Sequence, residues 1–126
     1  VRKLGNLPGV RVTGAVPDVR PYLSHALAAC LPLQLARGIQ NKALEAMAMS
    51  LPVLATDDAL VGIIDHPGVL SHVANSADEM SRLALAILSR PRQANTAGRT
   101  CVQEHYNWDT NLKRMESFLL REEDVH

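Results

Sequence analysis

Two short apolar runs, Leu27-Ala28-Ala29-Cys30-Leu31 and Val53-Leu54-Ala55-Thr56, bracket a segment of strong helix formers at residues 41–50, and this order constrains the fold more than any other feature. A run without polar alternation suits a strand covered on both faces, as in a parallel sheet. Parallel neighbours need a crossover of a dozen or more residues, usually helical, and the intervening stretch supplies one. It is rich in Ala, Leu, Met and Glu, Asn41 is a plausible N-cap, and Pro52 ends it. A third strand is predicted at 69–73, beyond a turn region at 62–68. The predicted fold class is therefore α/β, a Rossmann-like parallel sheet with helices on both faces.

The remaining elements follow from local chemistry. Val10 to Thr13 alternates apolar and polar between Pro8-Gly9 and Gly14, which predicts a short strand. Pro17 and Asp18 introduce a helix at about 19–26, with Pro21 tolerated in its first turn. Ser76-Ala77-Asp78-Glu79 combines a capping box with acidic residues, followed by Met80, Leu83, Ala84, Ile87 and Leu88 at helical spacing, so a helix is predicted over 77–89. Pro91 is expected to open another helix to about Tyr106. A last helix over 110–121 would carry Leu112, Met115, Leu119 and Leu120 as its apolar stripe, with Trp108 packing it onto the body. The chain reads as a single domain over 1–126 with a helical tail from about 91. It opens without an initiator Met and resembles the middle of a longer protein.

Composition excludes several function classes. The 13 basic and 13 acidic residues cancel, and no Lys/Arg stripe could neutralise a phosphate backbone, so nucleic acid is not an expected partner. No apolar run approaches the roughly 20 residues that span a bilayer, and no leader opens the chain, which predicts a soluble cytoplasmic domain. Cys30 and Cys101 are read as buried thiols and not as a bridge. His25, His66, His72, His105 and His126 lack metal-site spacing, Met47, Met49 and Met80 read as core filler, and Asp57-Asp58 reads as a turn.

Chemistry concentrates between the second predicted strand and the helix after it. The loop at 33–40 contains Arg37, Gly38, Ile39 and Gln40 and would lie at the carboxyl edge of a parallel sheet, where ligands of such folds bind. Free N–H groups and the positive dipole end of the following helix favour an anion such as a diphosphate. Glu45, flanked by Ala43, Leu44, Ala46 and Met47, projects a carboxylate from an otherwise apolar helix. Buried or half-buried, it needs partners, which two vicinal ribose hydroxyls could supply; an ion pair with Lys42 three residues earlier is the alternative. Arg37 reads equally as a solvated loop residue.

Leu44-Glu45-Ala46-Met47-Ala48-Met49-Ser50-Leu51-Pro52-Val53-Leu54-Ala55 resembles the second half of a pattern found in the C-terminal domains of retaining GT-B glycosyltransferases of family 4, Pro-Ser-x-x-Glu-Gly-Phe-Gly-x-x-x-Leu-Glu-Ala-Met-Ala-x-Gly-x-Pro-Val-Val. The stretch from Val12 through Gly14 and Pro17 to Leu23 is similar to the strand, turn and helix that precede it, and Tyr106-Asn107-Trp108 extends the likeness towards the end. The wording Ala36-Arg37-Gly38-Ile39-Gln40-Asn41-Lys42 is most similar to sugar transferases associated with the PEP-CTERM/exosortase exopolysaccharide system.

The resemblance implies that Glu45, as the second glutamate of an E-x7-E motif, binds the nucleotide ribose. It puts Gly38, Ile39 and Gln40 near the diphosphate and donor sugar, Lys42 one step into the helix, and Gly14 near the base or phosphates. Arg37 stands where the pattern has its first glutamate, so the donor-sugar contact must differ; a guanidinium can instead pair with phosphate or an acidic sugar.

The implied activity is transfer of a hexosyl group from a nucleoside-diphosphate sugar to a polysaccharide or lipid-linked acceptor, with retention and no obligatory metal or cofactor. The acceptor domain would lie upstream, where it or the acceptor could bring the enzyme to the inner face of the membrane. The chain alone is expected to be inactive and to cover an open sheet edge by homodimerisation. A nucleotide-sugar 2-epimerase of the same fold and a non-catalytic flavodoxin-like module are the competing readings.

Overall fold

The computed structural model describes residues 2–35, 37–65, 69 and 71–121. Its sheet comprises β1 (Ala29–Leu31), β2 (Val53–Ala55) and β3 (Ser71–Val73), parallel and in that order. Ala29, Cys30 and Leu31 of β1 stand opposite Val53, Leu54 and Ala55. Those in turn face Ser71, His72 and Val73. All three β2 residues are buried, as a central parallel strand requires.

Because side chains alternate across a strand, β2 presents residues to both faces of the sheet. Val53 and Ala55 join Leu31, Met47, Leu51, Ala59 and Cys101 in one cluster, built by α2 (Asn41–Ala48), α3 (Asp57–Leu60) and α5 (Thr96–His105). Leu54 lies outside that cluster, and α4 (Ala77–Leu88) packs against β2. The Cys30 thiol meets the Met80 sulfur of α4 at 3.6 Å. The fold is thus the expected α/β arrangement with helices on both faces of a parallel sheet. The opposite ends of the chain add α1 (Arg20–His25) and α6 (Trp108–Arg121), and a 3-10 helix covers Arg2–Asn6.

Several local expectations are corrected. Residues 10–13 form no strand: Val10 and Val12 are exposed, and no described strand runs beside them to take their hydrogen bonds. β1 is not covered on both faces, since Cys30 between Ala29 and Leu31 is exposed, so only Cys101 of the two thiols is buried. Asn41 is the first residue of α2 and not its cap, a place taken by the extended Gln40, whose carbonyl accepts from Ala43 and Leu44. Thr56 leaves the strand to cap α3, accepting from the Ala59 N–H, so Asp57-Asp58 is a first helical turn.

The C-terminal third differs in the same local way. Pro91 opens no helix; α5 starts at Thr96, capped by Asn95. This helix packs on α2 and delivers Cys101 to the core. Trp108 begins α6 but is 78% exposed and does not pin that helix to the body. The turn region at 62–68 and the strand at 69–73 fall partly outside the described residues, as do Ala36, His66 and His126.

The end of α2 shows how tightly this core is specified. The Leu51 N–H reaches the Ala46 carbonyl and the Ser50 N–H reaches that of Met47, both at 2.9 Å. This pairing is a Schellman motif, completed by burial of Leu51 over Ala46. Its left-handed position is occupied by Ser50, with φ of 58°. The Ser50 carbonyl then accepts from the Asn95 N–H at 2.8 Å, tying the start of α5 to the α2–β2 turn.

Candidate functional site

Parallel strands all present their carboxyl ends to one edge, and here that edge receives the loop from Pro32 to Gln40 and the first residues of α2. Among the described residues the loop rests on few hydrogen bonds. Leu33 N–H bonds back to the Leu31 carbonyl at 2.9 Å, and the Thr56 hydroxyl donates to the Leu33 carbonyl. Gly38 takes φ of 71°, a region costly to residues with a Cβ, and its carbonyl accepts from the Gln40 side chain at 3.2 Å. Ile39, half exposed, lies against Gly62, where a Cβ would come within 3.1 Å of its Cγ1.

At the start of α2 the N–H groups of Asn41 and Lys42 precede the first helical hydrogen bond, made by Ala43. Among the described residues neither has an acceptor, which leaves two donors facing the loop at the positive end of the helix dipole. Arg37 and Lys42 are exposed and form no ion pair among the described residues. Positive charge and free donors therefore meet at one end of α2.

Glu45 occupies the next turn. It is exposed and not half-buried, and no ion pair joins it to Lys42 or to any other described residue. Its face of α2, continued by Ala48 and Met49 three and four residues on, borders a cleft whose other wall is Pro17, Asp18, Val19, Arg20 and Leu23. The carboxylate thus opens onto a cleft formed with the entry to α1.

That opposite wall carries one exposed ion pair. Arg20 donates from Nε to both Asp18 oxygens, at 2.9 and 3.1 Å, and from Nη2 to Oδ2 at 2.9 Å, while its backbone N–H adds a bond to Oδ1. These hydrogen bonds from Arg20 hold the Asp18 carboxyl below its usual range and push the guanidinium further up. Gly14, four residues earlier, turns with φ of 70° in an open setting. The structure brings Glu45 to the Pro17–Arg20 segment; Arg37, Gly38, Ile39, Gln40 and Lys42 gather separately at the loop and helix start and do not line that cleft.

Sequence reasoning missed Pro17, Asp18 and Arg20 as neighbours of Glu45. The Asp-x-Arg spacing signals a local pair, but nothing in it says which helix the pair will face. Among the described residues no group of three or more His, Cys, Asp or Glu is placed to hold a metal ion.

The chain matches the family model described as glycosyl transferases group 1 over residues 1–90. This chain is a group 1 glycosyltransferase sequence. The match takes in the loop, α2, all three strands and α4, so the family-defining part coincides with the sheet and its carboxyl edge. No curated protein and no solved structure gives a significant match. Glycosyl transfer in general is the activity that membership carries, and the glycosyltransferase has, among its described residues, no helix long and apolar enough to cross a membrane.

Proposed function

We propose that this chain is the donor-binding half of a retaining GT-B glycosyltransferase that moves a hexosyl group from a nucleoside-diphosphate sugar to a polysaccharide or lipid-linked acceptor. The observation that carries the reading is Glu45, a carboxylate without a partner among the described residues, opening onto a cleft one turn beyond an exposed helix N-terminus. A nucleoside diphosphate has the complementary parts in the same order: vicinal hydroxyls for the carboxylate, then a diphosphate for the Asn41 and Lys42 N–H groups.

In this reading Glu45 accepts from the ribose hydroxyls, and Gly38, Ile39 and Gln40 shape the loop around the diphosphate and sugar. Gly14 lets the chain approach the base. Arg37 and Lys42 add charge, Arg37 replacing the carboxylate contact of the family pattern with a guanidinium suited to phosphate or an acidic sugar. Charge developing on the departing diphosphate is stabilised by fixed donors and cations, electrostatic catalysis that needs no metal or cofactor. An upstream domain provides the acceptor side and any approach to the cytoplasmic membrane face, and this chain alone does not turn over. The Arg37-Gly38-Ile39-Gln40-Asn41-Lys42 wording favours an exopolysaccharide system of the PEP-CTERM/exosortase kind.

Calorimetric titration of the folded chain with UDP, GDP and ADP tests the reading. One of them is expected to bind, and Arg37→Ala to weaken it about tenfold, the scale of one charge-assisted hydrogen bond. Silence towards all three from a chain with intact helical circular dichroism would overturn it.

A further inference from the structure

The donor loop is held from outside itself, at two points that belong to one short stretch of chain. Thr56, directly after β2, donates its hydroxyl to the Leu33 carbonyl at the start of the loop. Gly62, directly after α3, presents bare backbone to Ile39 near the loop's end. The two anchors flank the residues proposed to meet the diphosphate and sugar. Between them, among the described residues, the loop's own bonds are few, as the Gln40–Gly38 contact illustrates.

Each anchor is itself braced. The Thr56 oxygen also accepts from Ala59 N–H, so the hydroxyl's direction is set by the α3 cap. The Gly62 carbonyl accepts from the Tyr106 hydroxyl at 3.1 Å, and the Tyr106 hydroxyl oxygen accepts from Ile64 N–H at 2.7 Å, so the residue that ends α5 fixes the turn on which Ile39 sits. Gly62 also adopts φ of 79°, leaving a side chain there strained and tight against Ile39.

We propose that Thr56 and Gly62 are positioning residues for diphosphate binding: neither touches the ligand, and together they set the loop geometry that does. The proposal rests on the reading of this loop as the diphosphate site. Removing the Thr56 hydroxyl frees the Leu33 carbonyl and widens the range of loop conformations, and the fraction competent to bind falls accordingly.

The test compares Thr56→Val, Thr56→Ser and Gly62→Ala with the unaltered chain by hydrogen exchange of the loop amides and by calorimetry with UDP, GDP and ADP. Thr56→Val and Gly62→Ala are expected to speed exchange of the hydrogen-bonded amides at the loop's two ends several-fold, Leu33 in the first and Ala43 in the second, while α4 amides are unchanged, and to weaken nucleotide binding about fivefold, the worth of one neutral hydrogen bond. Thr56→Ser, which keeps the hydroxyl, restores both to within twofold, a rescue that loss of packing alone would not give. Unchanged loop exchange in Thr56→Val and Gly62→Ala would overturn the positioning role whether or not any nucleotide binds. Faster exchange with no binding by the unaltered chain would leave the anchors standing as loop anchors and overturn their link to diphosphate.

Discussion

At the scale of single residues, the most informative positions are those where geometry and residue type disagree. Ser50 holds the left-handed site of the α2 Schellman motif, where a non-glycine residue costs about 1–2 kcal/mol. Its strain is offset by the buried surroundings of Leu51 and by the bond from Asn95. Ser50→Gly is expected to raise stability by about 1 kcal/mol in urea denaturation, since the loss of unfolded-state order is smaller than the strain relieved. Gly98 shows the opposite case. It lies in α5 without unusual φ, yet a Cβ there would sit 2.5 Å from the Asn95 amide nitrogen. That amide is fully buried and already committed, donating to the Leu51 carbonyl and accepting from Gly98 N–H, each at 3.0 Å. Gly98→Ala should therefore destabilise the chain by about 1–3 kcal/mol despite alanine's better helix propensity, visible as a lowered urea midpoint. Neither effect is legible in the sequence, because both depend on a partner more than forty residues away or on a backbone dihedral.

At the scale of elements, the strands and α4 were readable for different reasons. β2 is an apolar run directly after the breaker Pro52, and α4 carries its own start signal: Ser76 accepts from Glu79 N–H, and the Glu79 carboxylate accepts from the Asn75 N–H. Residues 10–13 have the same alternation as a strand but no neighbour to pair with, and pairing is what makes a strand. The start of α5 was misplaced because Pro91 fits a first helical turn as well as Asn95 fits a cap, and only the buried contacts of Asn95 decide between them. Of the candidate site, the loop and Glu45 are singled out by motif and order, whereas the facing Asp18–Arg20 pair is not. That pair carries a pH signature. A carboxyl whose folded pKa is depressed contributes fully above its unfolded value, about 3.9, and loses that contribution as pH falls through the lower folded value. Carbon NMR titration of Asp18 should show a midpoint below the ordinary carboxylate range, and Arg20→Ala should move it back up.

At the scale of the whole molecule, the core and the proposed site share β1 and α2 and use different residues of them. The core lies between the sheet and α2, α3 and α5, with Met47 almost wholly buried at its centre. The stripe predicted for α6 is real as a pattern but uncovered: Leu119 is 67% exposed and Leu112, Met115 and Leu120 are likewise in solvent. Met47→Ala should cost about 2–5 kcal/mol, while Leu119→Ser should stay within about 0.5 kcal/mol, a contrast that thermal unfolding measures directly. The ligand edge draws on β1, α2 and the entry to α1, so the proposed site stands on elements fixed by that core. In the proposed site Glu45 holds the ribose. The direct measurement is the affinity of the folded chain for a ribonucleoside diphosphate against its 2′,3′-dideoxy counterpart, before and after Glu45→Ala. The unaltered chain should prefer the ribonucleotide by about tenfold or more, as loss of hydrogen bonds to a charged group implies, and the variant should bind both equally weakly. An undiminished preference in Glu45→Ala would contradict the account.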